Sequence, residues 1–258
     1  MTKRIYYIAA NTFREAVRDR VLYNLIGFAL LLIGAAILVG QVSIDIEQLV
    51  VVNLGLTAVS LFGLVIAIFI GIGLVSKEIE KRTLYTVLSR PVRRWEFIAG
   101  KFFGLSGTLI VNTVFMAVGV FAASWYVTHP PQSTNPWIVV ALYFIILQFL
   151  MVVALALFFS SFSSPLLSAI FTFSVFIIGT FDEDLRVFAA ATRGVVHRLA
   201  AAAAYLIPNF SALNVITQVA HGDSVSPRLV LYNTAYALTY AITVLAGATL
   251  IFERRSLK

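Results

Sequence analysis

Three histidines, His129, His197 and His221, and one acidic run, Asp182-Glu183-Asp184, are the residues whose types could support metal binding or acid–base chemistry. Their spacing argues against both. The histidines stand far apart in sequence. Three adjacent acids on a helix cannot all face one ion, whereas acids suit the positive end of a helix dipole. There is no cysteine, which excludes a zinc–thiolate site, a thiol nucleophile and a disulfide framework. Methionine is scarce, so a copper-conducting chain is poorly supported. No carboxylate pair, Ser-His-Asp order or metal cluster falls within the apolar runs. No catalytic residue, bound metal or cofactor is expected in this chain.

The other polar residues of interest lie inside long apolar runs. They include Asn53, Asn112, Gln148, Asn233 and Thr239. Gln148 falls near the centre of its run. Such a residue lines a solute path or makes a hydrogen bond between helices, and both readings stay open for Gln148, Asn112 and Asn53. None of the runs contains a charge. Ion pumps and proton relays usually need one within the membrane, so ion-coupled transport is disfavoured.

The elements that carry these residues follow from composition. The chain has 258 residues, of which 60% are hydrophobic and only 12% charged. Soluble domains are about 45–50% apolar and about 25% charged. Between Lys101 and Asp182 there is no Asp, Glu, Lys or Arg. That gap has room for three membrane-spanning helices of about 20 residues each. The expected fold is all-α: one polytopic domain with six transmembrane helices, at about 21–40, 51–75, 104–126, 137–159, 166–181 and 229–252. His129-Pro130-Pro131 and Asn135-Pro136 mark a loop, since consecutive prolines end a helix.

Lys and Arg set the orientation. The N-terminal segment, the 77–101 segment and the tail share one side and carry 15 of the 19 basic residues. Arg186, Arg193, Arg198 and Arg228 are on the other. Both termini are therefore expected in the cytoplasm, with the chain in the cytoplasmic (inner) membrane. The net charge of +7 then reflects orientation and anionic lipid rather than nucleic acid. Lys3, Arg4, Arg14, Arg18 and Arg20 alternate with Ile5, Ile8, Phe13 and Val17 at helical spacing. They read as an interfacial amphipathic helix or equally as an ordinary basic flank. On the outer side, residues from Asp182 onward are expected to form an amphipathic helix, with Arg186, Arg193 and His197 on one face and Leu185, Phe188, Val196 and Leu199 largely opposite.

Residues 76–91 have their own pattern. Ile79, Thr83/Leu84 and Val87/Leu88 form an apolar stripe, and Glu78 stands four residues before Arg82. Pro91 stops the helix. The pattern fits a short cytoplasmic helix docking into a groove on a soluble partner. It also fits a solvated loop that obeys the positive-inside rule. Further on, Gly100-x-x-x-Gly104, with Gly107 and Thr108, permits close helix packing.

The run Ser76-Lys77-Glu78-Ile79-Glu80-Lys81-Arg82-Thr83-Leu84, then Leu88-Ser89-Arg90-Pro91-Val92 and Gly100-Lys101, resembles the cytoplasmic loop of ABC type-2 transporter permeases. Phe13-Arg14-Glu15, Pro208-Asn209-Phe210 and the closing Arg254-Arg255 are similar to the family as well. The likeness covers essentially the whole chain. It is nearest to small six-span permeases grouped with multi-copper-enzyme maturation systems, a grouping that fixes no substrate. The resemblance implies the permease of an exporter, working as a homo- or heterodimer. ATP and Mg would be bound by a separate cytoplasmic ATPase, since this chain has no G-x-x-x-x-G-K-[ST] loop. The helix at 76–91 would be the coupling helix. Glu78, Glu80, Arg82 and Arg90 would give its polar contacts to the ATPase, and Leu84, Val87 and Leu88 its apolar ones. A second reading is a membrane scaffold that passes ATPase-driven motion to an extracytoplasmic partner protein docked on 182–228.

Overall fold

In lipid no water meets an exposed N–H or C=O, so each apolar segment must satisfy its own backbone, and an α-helix does so alone. The computed structural model describes residues 2–43, 46–80, 93–127 and 136–254. Their regular structure is entirely helical. In chain order the helices are α1 (Thr2–Val17), α2 (Arg20–Val42), α3 (Glu47–Glu80), α4 (Arg94–Val127), α5 (Trp137–Ser160) and α6 (Pro165–Thr180). They are followed by α7 (Asp182–Ala191), α8 (Gly194–Leu206), a 3-10 turn at Ser211–Leu213, α9 (Ile216–Ala220) and α10 (Pro227–Arg254).

Among the described residues, α2, α3, α4, α5 and α10 are each long and apolar enough to cross a membrane. A sixth crossing exists if α6 and α7 count as one span, bent by 68°. At 1.5 Å per residue, the 16 residues of α6 reach about 24 Å, short of the hydrocarbon core's roughly 30 Å. Pro165 begins α6 at a position where its missing N–H costs nothing. The bend falls at Phe181, whose N–H turns back to the Ile177 and Ile178 carbonyls. The helix expected from Asp182 onward is two helices. Gly194 takes a left-handed φ of 71°, which glycine adopts without penalty, and Arg193 lies between α7 and α8. Arg186, Arg193 and His197 therefore do not share one helix face. His197 Nδ1 sits 2.7 Å from the Ala189 carbonyl and ties the two short helices together.

The core is built around α3 and α5. In α5, 72% of the apolar window is buried, against 22% in α2 and in α10. Glycines let the backbones approach. A Cβ on Gly63 would lie 2.1 Å from the Phe149 ring of α5, and one on Gly55 3.2 Å from Val120 of α4. By contrast, a Cβ on Gly34 of α2 would meet nothing within 4 Å.

At the end of the fold that holds α1, charges are gathered. The 34-residue α4 begins ten residues before the expected span, and α3 runs without a break through Glu80. Ser76–Glu80 thus extends the second span rather than opening a separate helix. α1 lies along the first turns of α4. A Cβ on Gly100 would collide with Ile8, and one on Gly104 with Ala9 O and Thr12, so the Gly-x-x-x-Gly pair is the seat of α1. The fully buried residues of α1 are Thr12 and Ala16, whereas Ile5, Ile8, Phe13 and Val17 are half-buried. Glu96 and Lys101 are both buried. Glu96 accepts the Arg93 N–H at 3.0 Å and lies 4.0 Å from Arg4. Arg94 donates to the Phe252 carbonyl, and the Phe97 and Phe252 rings stack at 6.0 Å. The end of α10 is thereby fastened to the start of α4.

At the opposite end, Pro208-Asn209-Phe210 forms a clamp. The Phe210 N–H donates to the Gly179 carbonyl at 2.9 Å. A Cβ on Gly179 would meet Pro208 O at 2.1 Å, so only glycine admits this contact. The Asn209 N–H donates to Tyr236 Oη at 2.8 Å, and Asn233 Nδ2 donates to the Ala212 carbonyl at 2.7 Å. Asp182, at the bend, is buried and accepts from Arg186 Nε at 2.6 Å.

Two stability predictions follow from these contacts. Gly63→Ala is expected to destabilise by about 1–3 kcal/mol through overpacking, whereas Gly34→Ala is expected to be neutral or stabilising by up to about 1 kcal/mol. Thermal midpoints of the two variants in detergent check this, and equal midpoints would contradict the packing account. Tyr236→Phe removes the acceptor of the Asn209 N–H, an expected loss of about 1–3 kcal/mol. Hydrogen exchange at the Asn209 amide should then accelerate while the amides of α5 stay protected.

Candidate functional site

Asn53, Thr57 and Ser60 are spaced by four and three residues, which sets them on one face of α3. That face forms one wall of a cleft of about 230 Å3. α5 supplies Gln148 from near its middle, and α6 supplies Phe176 and Thr180. Phe210 and Asn214, with Ile216 and Thr217 at the start of α9, close the end beside the clamp. Leu61 and Leu64 complete the α3 wall. From Asn53 to Leu64 the helix rises about 16 Å, so the cleft runs from near the start of α3 to about its middle.

Local chemistry explains each placement. Gln148 is buried, and its Nε2 donates to Ser60 Oγ across α3 and α5 at 3.4 Å, a long bond. The Thr180 hydroxyl donates to the Phe176 carbonyl, as threonines in apolar helices do, which leaves its lone pairs facing the cleft. Asn214 Oδ1 accepts the Ile216 N–H at 3.3 Å and starts α9. The Phe176 and Phe210 rings meet at 5.0 Å and seal the wall towards the clamp. None of the cleft's lining residues is charged or titratable near neutrality. Its donors and acceptors are amides and hydroxyls, suited to binding and releasing a polar group rather than to proton transfer or nucleophilic attack.

The sequence-derived candidates fall into three groups. Gln148 and Asn53 come together in the cleft. Asn112 does not join them; it is buried on α4, and its Nδ2 has no hydrogen-bond partner among the described residues. Glu78 and Glu80 lie on the last turn of the α3 backbone, with side chains outside the description. Arg82, Leu84, Val87, Leu88 and Arg90 lie outside the described residues. Thr57, Ser60, Thr180, Asn214 and Thr217 were not picked out from sequence. The α3 stripe carried a usable signal, three polar residues at helical spacing in an apolar run. The others did not, because only the bend after α6 and the clamp bring them to the cleft. Of the histidines, His129 lies outside the described residues, and His221 Nδ1 sits 2.8 Å from the Thr217 carbonyl, away from His197.

No curated protein matches the chain. Residues 6–257, nearly its whole length, match the family described as ABC-2 family transporter protein. An all-α, multi-pass chain whose neutral polar cleft lies between spanning helices fits that match, and the chain belongs to the ABC-2 transporter family as a membrane permease component of an ABC transporter.

Proposed function

We propose that this chain is the permease of a dimeric ATP-driven exporter in the cytoplasmic membrane, with its termini in the cytoplasm. The observation that carries the reading is the uncharged cleft. A secondary transporter draws energy from an ion and needs a group inside the membrane to bind or titrate it. The cleft offers no charged or titratable group, which disfavours proton coupling and favours an energy source outside the chain. The source on this reading is the ATP-binding partner subunit that the family implies, with Mg bound there beside the nucleotide.

The route for that energy is the segment 76–91 acting as a coupling helix. Its first residues, Ser76–Glu80, are the end of α3, and in sequence it precedes α4, whose first turns are held by α1 and by Phe252. A push on the segment by Glu78, Glu80, Arg82 and Arg90, seated by Leu84, Val87 and Leu88, reaches two spans directly. α3 carries one wall of the cleft, so its movement changes the cleft's access. A second permease chain across the outer face of α3 and α6 completes the pathway, and Gln148 and Asn53 line it.

The scaffold reading has one observation in its favour. Val187, Phe188, Val195 and Val196 on α7 and α8 are exposed, a surface that an extracytoplasmic protein could cover. It leaves the cleft without a role, and export is preferred for that reason.

Purification from native membrane in mild detergent tests the leading reading. The wild type is expected to bring an ATPase subunit with it in near-equal amount. The double variant Glu78→Ala/Leu84→Asp should lose that subunit, while Gln148→Leu, remote from the segment, should keep it. A wild type that never carries an ATPase refutes the proposal, and a double variant that retains it refutes the assignment of the coupling helix.

A further inference from the structure

The cleft's lining says more about its occupant than that it is a solute. We propose that it binds the uncharged, hydroxyl- or amide-bearing head group of an amphiphile; this deepens, and rests on, the pathway reading above. Three observations converge on that class.

The first is electrostatic. A charged head entering the cleft would surrender hydration and find no opposite charge among the lining residues. Even partial desolvation of an ion without a counter-charge is costly, whereas a neutral hydroxyl or amide needs only hydrogen-bond partners.

The second is the hydrogen-bonding capacity left open. The side chains of Asn53, Thr57 and Thr217 make no hydrogen bond among the described residues, and all three face the cleft. An amide and a hydroxyl each offer both donors and acceptors. A phosphate or carboxylate would use only the donors, and an ammonium only the acceptors. A hydroxyl or amide group uses both sides, so the mixed set is complementary to it.

The third is size and surroundings. At about 230 Å3 the cleft is smaller than pockets that enclose a drug-sized ligand, about 300–1,000 Å3. It holds part of a molecule. Leu61, at its rim, is 51% exposed, and α6 beside it turns Phe173 and Ile177 outward. An apolar tail leaves the cleft between that surface and the second permease chain, while the head stays among the amides.

The test uses the full chain in phosphatidylcholine nanodiscs and three probes that share a short alkyl tail. They are octanoyl-N-methylglucamide, octyl phosphate and octyltrimethylammonium, each radiolabelled and kept below its micellar concentration. The glucamide is expected to bind saturably and about tenfold more tightly than either charged probe. Asn53→Asp, which preserves size and adds a charge, should shift the preference towards the trimethylammonium probe. Thr57→Trp, which fills the cleft, should abolish binding. A charged probe that binds wild type as tightly as the glucamide, and is lost in Thr57→Trp, overturns the head-group class but leaves the pathway reading intact. No saturable glucamide binding also overturns the class. Binding of all three probes that ignores Thr57→Trp overturns both.

Discussion

The approach of α3 to α5 at Gly63 governs the rest of the structure. Phe149 lays its ring where a Cβ on Gly63 would be, so the two helix backbones come closer than larger residues would permit. One residue before Phe149 is Gln148, and three before Gly63 is Ser60. Closeness at one pair sets the reach of the other, and the Gln148–Ser60 hydrogen bond follows from it. The cleft is therefore a by-product of tight packing a few ångströms away. Without a hydrophobic drive between helices in lipid, such small-residue contacts and interhelical hydrogen bonds are what hold spans together. Here both operate at the same place, and a loss of either would change the width of the polar wall.

Charge obeys the same logic of placement. The apolar runs exclude it, and it accumulates where helices leave the membrane. α4 is 34 residues long, about 51 Å, so its first turns extend beyond the hydrocarbon core of roughly 30 Å. This is how Glu96 and Lys101 are buried without lying in lipid. Glu96 has the Arg93 N–H and Arg4 beside it, and Lys101 lies 5.7 Å from the Phe97 ring centre. α1 covers them. The amphipathic N-terminal helix thus packs on the start of α4 and brings Arg4 to Glu96.

Most of the spans were legible because apolar runs of membrane length have few other solutions. The Pro130-Pro131 pair marked a boundary by local sterics alone. What escaped sequence reading depends on contacts between distant segments. The bend at Phe181 exists because Pro208-Asn209-Phe210 pins Gly179, and the two stretches are nearly thirty residues apart. The break at Thr192–Arg193 rests on one left-handed glycine, Gly194, in a segment whose periodicity runs straight through it. The burial of Thr12 is decided by Gly104, which the apolar pattern of α1 could not show. Gln148 and Asn53 were recognisable as polar residues in apolar runs. Their meeting, and the exclusion of Asn112, required the tertiary arrangement.

α10 connects the two ends of the molecule. Its last turn is held to the start of α4 by the Arg94–Phe252 hydrogen bond and by the Phe97–Phe252 stack. About 24–29 Å away along the same helix, Tyr236 and Asn233 hold the clamp segment. That segment carries Phe210 and Asn214 into the cleft. On the proposed mechanism, a displacement delivered to α4 has two ways to reach the cleft: through α3, which forms its wall, and through α10, which holds the segment closing it. The two arrive on different sides of Gln148. On that mechanism a shift of one relative to the other would widen or narrow the cleft without breaking a helix.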